Sequence, residues 1–492
     1  MLTFPRRQAL QLRAVMRRAF GNFRGPGPAV CFTVAAGTLN VKATVGDTAV
    51  QYTEPCDGTP DTLWLPFQFL ADCEGKNDDP VHIEATGKKR VTAQWRDGSV
   101  PQIIRYDVSK PAKADNFPAV PGTFVENQPG ILQALVDGGE CTDPNAVRYA
   151  VNCIQLCGAG SINATDGRQM LVQNGFQFPW TEDVLVPSSK VFASAELPRD
   201  LPIQIGKTGN WVAIGVGHWL IHLAINVDGR FPDVSRHIPL AAEAKARCLF
   251  SAADADFLAE TLPRLPCNDA DNRPVTLDLN GHVAVRAKGA DSPQPTEIVL
   301  TGSSSSGEPI RINTNRDYLA RAMRLGLREV SITSNKTALA CFDERRHFVW
   351  MPLDADSAIA PAKDAIRIES PGADSEKPVT KPRIERKVSP VSETVTNQNG
   401  NAAAKVNGQS NGHAKANGRN RINGQARKTT SPKAGQQDIA ALIEQAVKLR
   451  TALHDRMHEA GELVKALKQH RRQSRAVQQT LDQIRTLKTL GV

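Results

Sequence analysis

The chain has 492 residues, with 60 Lys and Arg against 51 Asp and Glu and a net charge of +9. That length exceeds what a single core serves, so about three or four domains are expected, and the lack of any apolar run of about eighteen residues excludes a membrane-spanning helix. The charge gathers at one end: residues 355–492 hold 24 basic and 13 acidic side chains, whereas residues 1–354 hold 36 and 38. The tail therefore suits a polyanion such as nucleic acid, or its cations simply keep a disordered segment in solution.

The N-terminus, MLTFPRRQALQLRAVMRRAF, is basic but has no continuous apolar stretch of the secretory kind. An Arg-rich, acid-free start is also a feature of organelle transit peptides. A 3.6-residue period predicts a helix from Arg6 to Phe20, with Leu12, Val15, Met16 and Ala19 on one face and Arg6, Arg13 and Arg17 on another. Further on, one pattern occurs three times: TLWLPFQFLADC at 62–73, DVLVPSSKVFAS at 183–194 and RINTNRDYLARAM at 311–323. Its anchors Pro66, Pro187 and Asn315 lie 121 and 128 residues apart. A helix-capable segment follows each anchor, and alternating strands follow that: PVHIEATGKKRVTAQW, PIQIGKTGNWVAIGV and EVSITSNKTALACF. An earlier half recurs as well, since LNVKATVGDTAVQYT at 39–53 parallels SINATDGRQMLVQ at 161–173. Such self-similarity predicts duplicated domains. The second and third units also open on candidate helices, ILQALVDGG after Pro129 and ADADFLAETLPRL at 253–265.

No constellation for catalysis stands out. His218 and His222 in GHWLIHLAI alternate on one face of a predicted strand with no third metal ligand nearby, and His454 and His458 likewise lack one. Cys153 and Cys157 sit in a strand-like run where burial is the default. Nine scattered cysteines point to free thiols in a reducing compartment. The run GSSSSG at 302–307 lacks a following Lys and is predicted to be a hairpin loop. Asp254 and Asp256 favour a helix start. No phosphate loop, nucleophile elbow or dinucleotide fingerprint is present, so neither a metal, a cofactor nor an enzymatic role is expected.

After Asp354 the composition turns rich in Pro, Ser, Lys and Asn, with no aromatic residue from 355 to 436 and five Asn-Gly pairs, the first at Asn399 and Gly400. Without flanking apolar strands these pairs predict a disordered linker, spanning about 50 Å. From Gln437 a heptad frame runs through Ile439, Leu442, Ala446, Leu449, Leu453, Ala460, Leu463, Leu467, Val477, Leu481 and Ile484, interrupted at Arg456, His470 and Ser474. A coiled coil or helical hairpin is expected over 437–492. Its basic cluster, from Lys465 to Arg475, is a solvated face, a bend or a nucleic-acid contact.

SINATDGRQML at 161–171 and GRFPDVSRHIP at 229–239 resemble the middle third of the bacterial beta sliding clamp family, the DNA polymerase III beta subunit. The resemblance spans most of residues 1–354. It implies an α+β fold of three tandem DNA-clamp domains, helices lining a ring and sheets outside, at 1–118, 119–239 and 240–354, before the linker at 355–436 and the helical module at 437–492. It implies a non-catalytic processivity or recruitment platform: a homodimeric ring around double-stranded DNA, bound without sequence preference, docking peptides of polymerases and the clamp loader in the cytoplasm, at the nucleoid. The rival reading is a clamp-fold scaffold that does not encircle DNA and acts through its tail. In the family the partner pocket lies between the second and third domains. Carried over, it comprises Val151, Thr165, Gly167, Arg168, Gln169 and Met170, with Pro239 at the domain boundary. The family's terminal Met-Pro-Met-Arg-Leu pattern corresponds to Trp350, Met351, Pro352 and Leu353, preceded by Val349. Arg168, Gln169 and Met170 stand where the family often has His-Arg-Leu, and this chain continues well past the family's last strand. The DNA contacts implied are Arg6, Arg13 and Arg17 on the first helix and Arg316, Arg321 and Arg324 on the last.

Overall fold

The computed structural model describes residues 2–371, apart from 24, 26, 88, 111–115, 147 and 148. Most of the expected linker and all of the expected helical module lie outside the described residues. The first unit runs β1 (Leu2–Pro5), α1 (Arg6–Phe20), β2 (Ala29–Ala35), β3 (Thr38–Val45), β4 (Thr48–Pro55), then β5 (Asp61–Pro66), α2 (Gln68–Cys73), β6 (Pro80–Ala85), β7 (Arg90–Asp97) and β8 (Val100–Asp107). The second runs β9 (Phe124–Asn127), α3 (Gly130–Glu140), β10 (Cys153–Cys157), β11 (Ser161–Thr165), β12 (Gln169–Asn174), then β13 (Asp183–Pro187), a 3-10 turn at Lys190–Ala193, β14 (Ile203–Thr208), β15 (Trp211–Val216) and β16 (Trp219–Ala224). The third runs β17 (Ala246–Leu249), α4 (Ala252–Thr261), β18 (Pro274–Asp278), β19 (Ala284–Ala287), β20 (Thr296–Val299) and β21 (Ser304–Gly307). It continues with β22 (Arg311–Asn315), α5 (Arg316–Arg324), β23 (Glu329–Ile332), β24 (Leu339–Phe342), β25 (Arg346–Trp350) and, last, β26 (Ile366–Glu369).

The repeated anchors are strand-to-helix switches. Pro66, Pro187 and Asn315 each end a strand, as Pro5 does before α1. Proline cannot donate to the next ladder position, and the Asn315 side chain accepts the Asp317 amide as a helix cap. The expected helix after Pro187 is only a 3-10 turn of four residues, capped by Ser189. In α1 the apolar stripe Ala9, Leu12, Val15 and Met16 is fully buried, and in β3 Leu39, Val41 and Ala43 alternate into the core. Sheet burial is thus set by period-2 patterning and helix burial by period 3.6.

Each unit exchanges its leading strands. β1 pairs with β6 rather than with its own meander, and β5 pairs with β2. The second unit does the same through β9 with β14 and β13 with β10, and the third through β17 with β23 and β22 with β18. Adjacent units then join edge to edge. β4 pairs antiparallel with β16, from Tyr52↔Trp219 to Thr48↔Leu223, and β12 pairs antiparallel with β25, from Gln169↔Trp350 to Gln173↔Arg346. The sheets therefore run continuously across both seams, with eight and nine strands. At the first seam the Tyr52 and Trp219 rings meet at 4.7 Å.

Three expectations need correction. The run GSSSSG is not a free loop: β21 pairs with β17, and Asp254, fully buried, accepts hydrogen bonds from the Gly302 amide (3.1 Å) and the Ser303 hydroxyl (2.5 Å). Backbone pairing recruits it without any apolar alternation. His218 and His222 do not share a strand face, because His218 is in the β15–β16 turn with Nδ1 2.8 Å from the Thr53 carbonyl, while His222 is buried in β16. Nor does the fold stop at Asp354.

Residues 353–370 form a strap across the sheet β22-β18-β19-β20. The Leu353 amide donates to the Asn313 carbonyl on β22, and the Ile359 amide donates to the Thr276 hydroxyl on β18. β26 then lies parallel to β20, with Thr296↔Ile366 through Val299↔Glu369 in register. The four-residue segment IRIE, preceded by Pro361 and followed by Pro371, is too short for a periodic signal, which is why composition alone puts it in the linker. Charge is buried in the same sheet. Arg286, 1 % exposed, contacts both Asp278 and Glu297, and each carboxylate has a second arginine, Arg311 at 3.1 Å and Arg367 of β26 at 2.9 Å.

Burial works to raise the pKa of Asp278 and Glu297, but hydrogen bonds from these arginines outweigh it and hold both carboxyls below their usual range. Their stabilisation is therefore complete above about pH 4.5 and is lost as pH falls through the depressed folded values. Thermal melts are expected to fall steeply below about pH 4. Glu297→Gln is expected to lower the melting temperature at neutral pH and to make that acid limb shallower. An acid limb of unchanged slope would show that the cluster is not the group responsible.

Candidate partner-binding cleft

The β11–β12 turn fixes one wall of a cleft at the second seam. Gly167 has φ 87°, a left-handed conformation that L side chains rarely adopt. Asp166 organises the turn around it: Oδ1 accepts from the amides of Arg168 (2.8 Å) and Gln169 (2.9 Å), and Oδ2 accepts from the Gln169 side chain (2.8 Å) and the Tyr318 hydroxyl (3.2 Å). Tyr318 belongs to α5, so one carboxylate ties the turn to the third unit. Burial, then Asp166 itself, pushes the Tyr318 phenol upward and keeps it a donor. Arg321 of α5 adds a 2.5 Å hydrogen bond to the Gln169 side-chain oxygen.

The β12–β25 seam supplies the floor. Met170 faces Val349 across the ladder, and both join Val172, Val234 and Ala340 in a small apolar cluster separate from the main cores. The segment 229–239 brings in Val234 and Ile238. The result is a cleft of about 610 Å3, apolar at its base and polar at its rim, where Arg168, Arg236, His237 and Glu243 stand. Met351 follows the seam, its amide on the Arg168 carbonyl at 2.8 Å, and stays 47 % exposed at the mouth. This combination of a preformed apolar trough and few polar groups suits a short peptide with apolar anchors.

Of the pocket residues expected from sequence, Thr165, Gly167, Arg168, Gln169, Met170, Pro239, Val349 and Met351 line this cleft. Val151, Pro352 and Leu353 do not. Val151 is buried, its carbonyl accepting the Asp143 amide, and Pro352 and Leu353 lead into the strap. Sequence reasoning missed Asp166, which an Asp-Gly turn between strands could have signalled. It also missed Val234, Ile238 and Ala338; the first two lie inside GRFPDVSRHIP, while nothing marks Ala338 in advance.

The expected DNA arginines separate into three groups. Arg6 and Arg316 are buried and cannot meet a phosphate. Arg6 donates to the carbonyls of Cys73, Glu74 and Arg96, and Arg316 to those of Leu265, Pro266, Arg273 and Pro274. Both are the first residue of a helix that follows a strand, so the recurrence is architectural. Arg13 is paired with Glu74 at 2.6 Å, and Arg321 and Arg324 share Glu140 of α3 at 3.5 and 3.7 Å. Arg17 is exposed at the end of α1 beside exposed Arg18. Among the described residues, no three His, Cys, Asp or Glu gather to hold a metal, and no helix is long and apolar enough to cross a membrane. All nine cysteines are free thiols.

Solved structures with the same architecture are sliding clamps. The chain is similar to the DNA polymerase sliding clamp of Pseudomonas aeruginosa, at 18 % identity over 72 % of this chain and 99 % of that one, with a TM-score of 0.58. It is similar to the beta subunit of the DNA polymerase of Streptococcus pyogenes, at 14 % identity over 72 % and 100 %, TM-score 0.60. It is also similar to a sliding clamp from Bartonella birtlesii, at 17 % identity over 72 % and 99 %, TM-score 0.59. At these identities the likeness establishes the fold, that of the three-domain DNA clamp. No protein-family model and no curated protein matches the chain.

Proposed function

We propose that this chain is a non-catalytic docking platform of the sliding-clamp kind, with domains at 1–118, 119–239 and from 240 through the strap. The cleft at the second seam grips short peptides of a DNA polymerase or clamp loader. The single observation that carries the reading is that cleft, with Met170 and Val349 at its base and Met351 at its mouth, on a clamp fold. The finer reading is a head-to-tail ring of two copies around duplex DNA, at the nucleoid of the cytoplasm, touching phosphates without sequence preference. Arg17 is the expected arginine best presented for that contact, and Arg324, though paired, is still partly exposed.

A specific observation favours a second reading. Two of the six expected DNA arginines are buried and three are ion-paired, which leaves little free positive charge on a body whose acidic side chains already outnumber its basic ones. In that reading the net positive charge of residues 355–492 supplies the DNA affinity, and the body is a scaffold that encircles nothing.

The docking reading is tested by titrating the chain with a short peptide that carries a Gln and two terminal apolar residues. Saturable binding is expected, and Met351→Ala is expected to weaken it by about 1–2 kcal/mol, the loss of one anchor contact. Absence of binding to the intact chain would make the cleft purely structural.

A further inference from the structure

The two seams within the chain obey one rule. Each unit has two three-strand meanders, and at each seam the last strand of a first meander pairs antiparallel with the last strand of the next unit's second meander. β4 takes β16 in this way, and β12 takes β25. Two strands of this kind are left over: β20, which ends the first meander of the third unit, and β8, which ends the second meander of the first. Continuing the rule, β20 of one copy is the edge for β8 of the next. β8 has the look of an uncovered edge, since Val100 and Ile103 on it are 55 % and 62 % exposed and a bare apolar edge strand invites a partner.

The β20 edge, however, is already occupied. β26 fills it as a parallel strand, and the contact is built. The amides of Ile366 and Ser370 donate to the carbonyls of Pro295 and Val299, both at 2.9 Å. Ile368 packs on the third unit's core, and the Ser370 hydroxyl, on a residue only 5 % exposed, accepts the Thr301 amide. Arg367 reaches the buried Glu297. One edge cannot hold two strands, because each carbonyl and amide row pairs once.

We infer that the strap 353–370 is an intramolecular gate on self-association: β26 excludes β8 of a second copy from β20, and the head-to-tail contact forms only when β26 leaves. The inference rests on the ring reading. Its occupant after release is a second copy of this chain, because only β8 continues the seam rule.

Hydrogen exchange resolved by segment tests it on the full chain, alongside sedimentation mass, since the tail could associate by itself without touching β8. Two variants release the strap. Ile368→Pro removes a ladder donor, and Arg367→Glu sets a second carboxylate beside Glu297. In the unaltered chain β26 is expected to be protected while the outward amides of β8 exchange freely at every concentration. In the variants β26 should exchange freely, and β8 exchange should slow at least about tenfold as the chain is concentrated, with the mass doubling. A dimer of the unaltered chain with both β8 and β26 protected would overturn the gate and leave the ring reading intact. Released β26 with no concentration-dependent protection of β8 would overturn the ring reading and the gate with it. Protection of β26 persisting in both variants would also overturn the gate, since a strap that does not yield cannot open an edge.

Discussion

Arg316→Ala is expected to destabilise the folded chain by about 3–5 kcal/mol in a urea titration, since each buried carbonyl that loses its partner costs about 1–3 kcal/mol. The guanidinium is fully buried and gives four hydrogen bonds to four carbonyls, those of Leu265, Pro266, Arg273 and Pro274. Alanine would take this donor from the carbonyls of Leu265, Pro266 and Pro274, while that of Arg273 keeps the backbone amide of residue 316, and would open a void beside α5. Arg17→Ala, on an exposed helix end, is expected to change stability by less than about 0.5 kcal/mol. Any DNA affinity should respond in the opposite order, falling with Arg17 and, for the folded fraction, indifferent to Arg316. Equal stability losses for the two variants would show that Arg316 is not structural.

The second large effect is topological. A ring closed around duplex DNA is expected to stay on a closed circle through a high-salt wash, and to leave when one cut linearises the circle. Contacts to phosphate alone weaken steeply with salt and cannot tell a circle from a line. Retention of the strap-released variants Ile368→Pro and Arg367→Glu is therefore expected to differ by at least about tenfold between closed and cut DNA after the wash, measured by gel filtration of labelled protein with each. Equal retention would sink the encircling reading and favour the tail, and loss of binding on removing residues 381–492 would then identify the source.

The repeated architecture was legible because it rests on periodicity and on chain-reversing residues, which act locally. Pro66, Pro187 and Asn315 marked the strand-to-helix switches, and the cleft wall was reached only through the family resemblance of SINATDGRQML. Burial of charge was not legible. On a helical wheel Arg6 and Arg316 look like any solvent-facing arginine, and only the carbonyls of distant loops turn them inward. Arg321 is paired by Glu140, 181 residues away in sequence, a partner that helical spacing cannot predict. The strap is illegible in the sequence for a different reason. Four residues of IRIE have almost no pattern of their own, and the sheet edge that orders them is built by residues 296–299.

The strap also has a mechanical side. β26 is the last described strand, and the chain passes from it through Pro371 directly into the basic tail. A pull on that tail, by whatever it grips, arrives first at Ser370. Where the pull runs across the sheet, the ladder opens as a zipper, from Glu369 back towards Ile366, one pair at a time rather than all at once. Peeling of this kind needs far less force than shearing the same bonds together. Tension on the tail would then bear on the β20 edge, and cargo held there would act on the strap as a load on a lever.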